Sequence, residues 1–356
     1  MSNLRITNCH IHTFTTDHVP RWYPHPLLTP FKAVPTLAKG VAVLLDLIGQ
    51  DRRADVVHRL YKFQETGHGV GQEEVFASIL PFYPGDTRFV VLPMDMSQMG
   101  FGPVRKDIAR QHDELARLAT HPLYGKQVIP FATVVPGKPG SVVEMKRAIG
   151  ELGFRGLKLY PRIGYAPDHP ELMSEVYPYL VEHNLPVLSH CARGGVAGRH
   201  LSPEEADRLT DPRAFIPVLE AFPELRVNLA HFGGLADWES YVNDGIDPHD
   251  PQARQENWLA SILDMLRYGG YQGLYADISY TVFNFSAFLP FLRVFLEDER
   301  IADRVLFGSD YYMTKQESLS ERAVCFGLRD ALGEGLFRQI AEINPECWLG
   351  ERTLER

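Results

Sequence analysis

The stretch Asn8-Cys9-His10-Ile11-His12 follows an apolar start and places two histidines two positions apart. In a β-strand successive side chains point to opposite faces, so His10 and His12 share one face. Two imidazoles side by side at the end of a strand can bind one divalent metal ion. The His-x-His pattern is common without a metal, so its meaning depends on what the other strands contribute.

Eight strand-like segments alternate with helical segments along the chain. From the second strand onward, strand starts lie about 27 to 48 residues apart, the spacing of strand-helix-strand units with a parallel sheet. We therefore predict an α/β fold, a (β/α)8 TIM barrel. A doubly wound open sheet is the alternative, but no Gly-x-Gly-x-x-Gly turn follows the first strand. The predicted strands cover residues 5–14, 88–96, 128–136, 155–160, 186–191, 226–233, 274–280 and 304–312.

One segment interrupts this alternation, because residues 15–87 are rich in prolines and glycines. So long an excursion between two strands indicates an inserted lid or subdomain. We expect helices within it at 36–47, 51–65 and 72–80. The whole chain, 1–356, is then a single barrel domain that carries this long helical insertion after its first strand.

The composition is that of an acidic globular protein. The 356 residues include 36 Lys and Arg against 45 Asp and Glu, a net charge of −9, and no basic cluster suggests a nucleic-acid partner. No apolar run approaches the roughly 20 residues of a membrane helix, and no secretory leader pattern is present. Four cysteines in so long a chain do not make a disulfide framework. We expect a cytoplasmic protein without a membrane partner.

Polar side chains recur late in the predicted strands, at the end of the barrel where active sites lie. Several imidazoles and a carboxylate suit Zn2+, with Mn2+ or Fe2+ as second choices. The carboxylate has a second use, because one that touches both metal and water can accept a proton as water attacks. The residues, in strand order, are His10, His12, Lys158, His190, His231 and Asp310.

Five motifs carry these residues: His10-Ile11-His12, Gly153-Phe154-Arg155-Gly156-Leu157-Lys158-Leu159-Tyr160, Ser189-His190, Ala230-His231-Phe232-Gly233-Gly234 and Phe307-Gly308-Ser309-Asp310-Tyr311. In this order they resemble the amidohydrolase superfamily of metal-dependent TIM-barrel hydrolases, in particular its amidohydrolase 2 branch. The resemblance implies metal binding by His10, His12, His190 and Asp310. It implies that His231 activates water and substrate or binds a second metal.

Lys158 has two interpretations. Two-metal members of the family carry a carboxylated lysine on strand four, and Lys158-Leu159-Tyr160-Pro161 is similar to that site in dihydroorotases. A buried lysine with a lowered pKa could react with CO2, and two cations would stabilise the resulting anion. Alternatively, Lys158 stays an ammonium group paired with Asp310 or with a substrate carboxylate. One or two metal ions therefore remain open.

Loop residues beside the same rim are candidates for binding the substrate. Arg193 could hold a substrate carboxylate in a bidentate way, although a solvated loop arginine is the alternative. The other candidates are Tyr160, Arg162, Trp238 and Tyr311.

The leading functional hypothesis is a metal-dependent hydrolase. Metal-activated water would attack an amide, cyclic amide, lactone or ester of a small, anionic substrate, with Asp310 and His231 handling protons. The alternative is a single-metal decarboxylase of an aromatic or unsaturated carboxylic acid. A third hypothesis is a barrel that binds metal or ligand without turnover. Barrels of the resembled family often form dimers, so a homodimer is left open.

Overall fold

The computed structural model describes residues 4–24, 67–247, 250–281, 285–311 and 321–353. Within these ranges the strands pair in parallel and follow one another in sequence order around the sheet. The helices connect successive strands, as the alternation of the sequence predicts.

Nine strand segments make up the eight strands of the barrel. The third predicted strand is divided at Phe131 into two segments, which pair with the strands on either side. Ile11 pairs with Tyr311 in a parallel bridge, which closes the ring between the first and the last strand. The segments are β1 (Thr7–Ile11), β2 (Arg88–Val91), β3 (Val128–Pro130), β4 (Ala132–Thr133), β5 (Leu157–Leu159), β6 (Val187–Ser189), β7 (Val227–Leu229), β8 (Leu274–Asp277) and β9 (Val305–Leu306).

Thirteen α-helices lie in the described ranges, and none of them is long and apolar enough to cross a bilayer. Two π-helical turns adjoin them, at Leu172–Val176 and Gln339–Ile343. The helices are α1 (Gln72–Ala77), α2 (Ile108–Ala119), α3 (Ser141–Gly150), α4 (Tyr177–Glu182), α5 (Pro203–Arg208), α6 (Ile216–Ala221), α7 (Leu235–Asn243), α8 (Pro251–Glu256), α9 (Trp258–Tyr268), α10 (Phe285–Phe295), α11 (Glu299–Ala302), α12 (Glu321–Arg338) and α13 (Asn344–Trp348).

The sequence predicts that Ser141, with Glu144 three residues later, caps one helix and that Ser202, followed by Pro203, caps another. Ser202 caps α5 as expected, since its hydroxyl accepts from the amide of Glu205 (3.2 Å) and Glu205 accepts from the amide of Ser202 (2.8 Å). A similar cap predicted at Ser141 is wrong. Gly140, in the left-handed region, is the N-cap of α3, and the Ser141 hydroxyl accepts instead from the amide of Val135.

A compact apolar cluster joins residues from most of the strands with Trp348 and Leu349 near the C-terminus. It includes Cys9, next to which β1 shows a register shift between Asn8 and Ile11. Close packing of these side chains fixes the strands that carry the polar residues. The members are Cys9, Val90, Leu92, Ile129, Phe131, Leu188, Ala230, Tyr275, Leu306, Trp348 and Leu349.

Both described flanks of the insertion contact the barrel. Thr13 donates to Gln72 in α1 (2.7 Å), and the hydroxyls of Ser78 and Tyr311 contact each other. The predicted helix at 72–80 is present as α1. The predicted helices at 36–47 and 51–65 lie outside the described residues, so a lid over the rim stays a proposal.

Candidate metal centre

Three acceptor atoms meet at the point where the barrel closes. The Nε2 atoms of His10 and His12 lie 3.3 Å apart. The Oδ1 atom of Asp310 lies 3.4 Å from the first and 3.3 Å from the second. All three residues are buried, and they form a group whose ligand atoms converge. Residues 300 positions apart in sequence thus meet as the strand order predicts.

The backbone at two of the predicted site residues is strained. Asp310 has a φ of 61° and His231 a φ of 69°, in the left-handed region that residues with a side chain rarely adopt. Phe232 and Tyr280 share this conformation and also follow barrel strands. Such strain concentrates at functional sites, where the surrounding structure enforces it.

In His10 and His12, the contacts of Nδ1 determine which ring nitrogen carries the hydrogen. His12 Nδ1 lies 2.9 Å from the carbonyl of Leu92, and His10 Nδ1 lies 3.2 Å from a carboxylate oxygen of Asp277. Because both partners accept, each Nδ1 carries the hydrogen and each Nε2 presents a lone pair. The orientation is the one that metal-binding histidines usually show.

The arrangement fits a divalent cation. Asp310 Oδ1 is buried and has no hydrogen-bond partner within the described residues, while two imidazole lone pairs face it. Three facing acceptors repel each other unless a positive charge lies between them. The ligands of a four-coordinate zinc ion, at about 2.0–2.1 Å from the metal, lie about 3.4 Å from each other. The three measured separations match that value.

His190 and His231 stand beside this group rather than within it. His190 Nδ1 lies 3.1 Å from His231 Nε2, and the rings of His10 and His231 are 5.0 Å apart. His231 Nδ1 contacts the hydroxyl (3.0 Å) and the carbonyl (3.2 Å) of Ser279. The structure therefore brings all four predicted histidines into one cluster, with three of the predicted ligands in direct mutual contact.

Lys158 is almost completely buried in β5, close to the same carboxylates. Burial lowers the pKa of Lys158 from 10.5 to about 8, although Asp310 and Asp277 oppose the shift. Its ammonium nitrogen lies 5.9 Å from the ring of Tyr160. A lowered pKa makes an uncharged amine accessible near neutral pH, which carboxylation requires.

Burial also favours the uncharged form of His10 and His190, because it lowers the pKa of each. It lowers the pKa of His10 to about 4, with Lys158 adding to the effect. Burial, followed by His231, lowers the pKa of His190 well below its ordinary value. Burial alone would raise the pKa of Asp310, but His10 and His12 outweigh it and lower that pKa. Neutral imidazoles and an ionised carboxylate are the protonation states that metal binding needs.

Three polar residues of this cluster were not predicted. Asp277 ends β8 and is fully buried, with Ser279 two positions later on the same face. Asn228 in β7 donates to Asp277 (2.9 Å). A carboxylate is almost never buried without a partner, so the acid inside the predicted strand 274–280 was the available signal.

Two of the predicted substrate residues adjoin the histidines. The Tyr160 ring stacks on His190 with 4.5 Å between centroids. Arg162 is buried in the turn after β5 and forms an ion pair with Asp207, whose carboxylate also accepts from the amide of Gly194. The loop after β6 is thereby tied to the loop after β5.

The other predicted substrate residues are engaged in packing. Arg193 donates to Asp237 (2.9 Å) and lies 4.4 Å from the ring of Trp258. Trp238 is 1% exposed, and its indole N–H donates to the carbonyl of Phe232. Tyr311 is fully buried beside Ser78. Their roles toward a substrate stay predictions.

Comparison with known proteins places this geometry in context. The model of the amidohydrolase family, of the amidohydrolase 2 type, matches residues 8–350. No curated protein matches the sequence significantly.

Several solved structures share the fold at low sequence identity. One is a variant of 5-carboxyvanillate decarboxylase from Novosphingobium aromaticivorans with bound manganese and 3-methoxy-4-hydroxy-5-nitrobenzoic acid (TM-score 0.60, 16% identity, 98% of this chain and 97% of that chain). Another is described as a probable 2-pyrone-4,6-dicarboxylic acid hydrolase from Acinetobacter baumannii, with citric acid bound (TM-score 0.55, 14% identity, 97% and 99%). A third is 4-oxalomesaconate hydratase from Rhodopseudomonas palustris (TM-score 0.53, 17% identity, 97% and 95%). The predicted TIM barrel is confirmed.

Proposed function

The chain belongs to the amidohydrolase family and is an enzyme of that superfamily, and from this premise we propose that it is a metal-dependent hydrolase. Its substrate would be a small, anionic amide, cyclic amide, lactone or ester. The observation that carries the proposal is the triangle of the Nε2 atoms of His10 and His12 with Oδ1 of Asp310, which is buried and has no hydrogen-bond partner in the described part of the chain.

His10, His12 and Asp310 would hold the metal, and we propose His190 as a fourth ligand. A divalent cation bound there supplies Lewis-acid activation of water and of a substrate oxygen. We propose zinc, because the ligand spacing suits it, with manganese or iron as alternatives. A second metal would add His231 and a carboxylated Lys158 as ligands.

The protein's own groups would move the protons and bind the charge. Asp310 is ionised and its second oxygen can accept a proton from an attacking water. His231, neutral and buried, is placed to pass a proton to a leaving group. Lys158 provides positive charge for an anionic substrate while it remains protonated.

For the substrate pocket we propose Tyr160 and Arg162, which adjoin His190, with Arg193, Trp238 and Tyr311 shaping the rim through the packing described above. The insertion, residues 15–87, would cover this rim as a lid. The four cysteines are buried and form no disulfide within the described residues, and on this ground we propose a reducing, cytoplasmic location. We propose a small-molecule substrate as the only partner, with a homodimer as the alternative to a monomer.

A decarboxylase is the second candidate, and one observation favours it. The ligand atoms of His10, His12 and Asp310 suffice for a single metal, and the second group that could hold an ion, His10 with His231 and Asp277, shares His10 with the first. In a decarboxylase, His231 would deliver a proton to the carbon that loses CO2.

Metal content and turnover together test these proposals. The purified protein is stripped with a chelator, reloaded with zinc or manganese, and assayed against panels of lactones, cyclic amides and aromatic acids. Hydrolysis with about two metals and an added mass on Lys158 supports the two-metal hydrolase. Release of CO2 with one metal supports the decarboxylase. A loaded protein inert on all panels would refute both.

A further inference from the structure

We propose that Asp277 is a positioning residue that fixes which ring nitrogen of His10 and His231 carries the hydrogen, and through His231 that of His190. The inference rests on the proposed metal site, since its effect is to present unprotonated Nε2 atoms there. Asp277 has no role in the function proposed above.

The carboxylate of Asp277 is fully buried and receives five donors. Its Oδ1 accepts from the amides of His231 (3.2 Å) and Ser279 (3.0 Å) and from the Ser279 hydroxyl. Its Oδ2 accepts from the side-chain amide of Asn228 (2.9 Å) and from His10 Nδ1 (3.2 Å). An ionised carboxylate has no hydrogen to give, so His10 must carry its hydrogen on Nδ1.

The same carboxylate sets His231 through Ser279. Because the Ser279 hydroxyl gives its hydrogen to Asp277, only lone pairs remain to face His231 Nδ1 at 3.0 Å. The Ser279 carbonyl, 3.2 Å from the same nitrogen, can also only accept. His231 therefore carries its hydrogen on Nδ1, and its Nε2 presents a lone pair.

His190 follows from His231. Its Nδ1 lies 3.1 Å from the lone pair on His231 Nε2, so His190 donates from Nδ1. The other nitrogen, Nε2, lies 3.4 Å from the carbonyl of Gly194, longer than a normal N–H···O bond of about 2.7–3.2 Å. One carboxylate thus orders three imidazoles so that no Nε2 carries a hydrogen, and the Nε2 of His231 accepts from His190.

The opposite set of hydrogens is disfavoured by the geometry. It requires the Ser279 hydroxyl to donate to His231, which leaves lone pairs of Ser279 and Asp277 facing each other in a buried contact. It also sets a lone pair of His231 against the Ser279 carbonyl. Buried acceptors facing acceptors are costly in the absence of water.

Replacing Asp277 by asparagine gives a directional test. Three donors face the Oδ1 position and two face Oδ2, so the amide oxygen of Asp277→Asn takes the Oδ1 side. The new NH2 group then faces the side-chain amide of Asn228 and His10 Nδ1, which also lies 3.0 Å from the Ser279 hydroxyl oxygen. A lone pair on His10 Nδ1 would accept from this NH2 group, whereas a hydrogen there would oppose it. We expect His10 to change to the form with hydrogen on Nε2, directed at His12 and Asp310.

Histidine tautomers are read in the metal-free protein by long-range 15N–1H correlation spectra, with signals assigned from single histidine variants. In the unsubstituted protein, His10, His190 and His231 should show hydrogen on Nδ1. In Asp277→Asn, His10 should show it on Nε2. Zinc affinity, from competition with a chelator, should fall about 10- to 100-fold, the usual effect of losing such a partner.

Two further variants keep the test decisive. Ser279→Ala retains the carboxylate of Asp277, so His10 should keep its hydrogen on Nδ1 in this variant. This test does not depend on whether Asp277→Asn folds. Ser141→Ala removes a buried, hydrogen-bonded serine far from the site in sequence, and should change neither tautomers nor affinity.

Hydrogen on Nε2 of His10 in the unsubstituted protein, or an unchanged His10 in a folded Asp277→Asn, would overturn the inference. So would a changed His10 in Ser279→Ala. If the unsubstituted protein binds no zinc but shows these tautomers, the proposed function fails while the inference about Asp277 stands.

Discussion

Gly308 allows the chain after β9 to pass close to β1, and alanine at this position would disturb the metal triangle. A Cβ atom there would lie 2.9 Å from the Cβ of His10 and 3.3 Å from the Cβ of Ser279. Carbon atoms pack at about 3.5–4.0 Å, so His10 and residue 308 would have to separate by roughly 0.6–1 Å. Gly308 is not in the left-handed region, so the obstacle is space alone.

The size of this shift decides the outcome. His10 lies on one side of the contact, and Asp310, two residues after Gly308, lies on the other. Metal–ligand distances tolerate changes of about 0.2 Å, well below the expected displacement. We therefore expect Gly308→Ala to weaken zinc binding at least about 10-fold. Overpacking should also lower the free energy of unfolding of the metal-free protein by about 1–3 kcal/mol.

Zinc affinity is measured by chelator competition, and stability by urea unfolding of the stripped protein. Gly335→Ala is the matched control, because its added Cβ meets no atom within 4 Å and its φ is outside the left-handed region. It should leave the zinc affinity unchanged and, because Gly335 lies within a helix, raise the free energy of unfolding by about 0.5–1 kcal/mol rather than lower it. A Gly308→Ala protein with normal affinity and stability would show that the two strands do not approach as described.

Three further changes test the site and its support. Asp310→Ala should remove the metal, measured by elemental analysis, while the far-ultraviolet circular dichroism stays that of a folded barrel; full metal content would contradict the ligand assignment. His190→Ala should lose metal and activity with the barrel still folded, and retention of both would exclude it as a ligand. Burial alone would raise the pKa of Glu144, but hydrogen bonds from His112 and Arg147 lower it from 4.5 to about 2. Its contribution, on the order of 1–2 kcal/mol after allowance for solvent screening, is therefore present above about pH 4.5 and lost as the pH falls toward 2. Urea unfolding at pH 7 and pH 3 should show a smaller loss in Glu144→Gln than in the unsubstituted protein, and equal losses would refute this.

Much of the barrel could be predicted because strand spacing and apolar runs depend on local sequence. The cluster of His10, His12, His190 and His231 with Asp310 followed from one rule, that the carboxyl ends of parallel strands lie at one rim. Convergence at that rim needs no knowledge of individual contacts.

Two features depended on contacts and backbone conformation that a sequence pattern does not show. Asp277 was missed because an acid inside a strand can be interpreted only once its donors, on four other residues, are known. Ser141 was predicted as a cap because its sequence pattern is that of a capping box. The pattern does not show that Gly140 adopts the left-handed conformation or that the amide of Val135 donates to the Ser141 hydroxyl. The burial of Trp238 and Tyr311 could likewise not be seen from their position beside rim loops, and their roles toward a substrate stay predictions.

The first and last strands are joined by the Ile11–Tyr311 bridge and by three backbone hydrogen bonds, from Cys9 to Phe307 (2.8 Å), from Asp310 to His10 (2.8 Å) and from His12 to Tyr311 (2.5 Å). The proposed ligands lie on both sides of this junction: His10 and His12 at the end of β1, and Asp310 after β9. An ion bound between them would connect the first and last strands, so that its binding free energy would also stabilise the closed barrel. Without the ion, the segments around β1 and β9 should open more often, and amide hydrogen exchange at their junction should become faster.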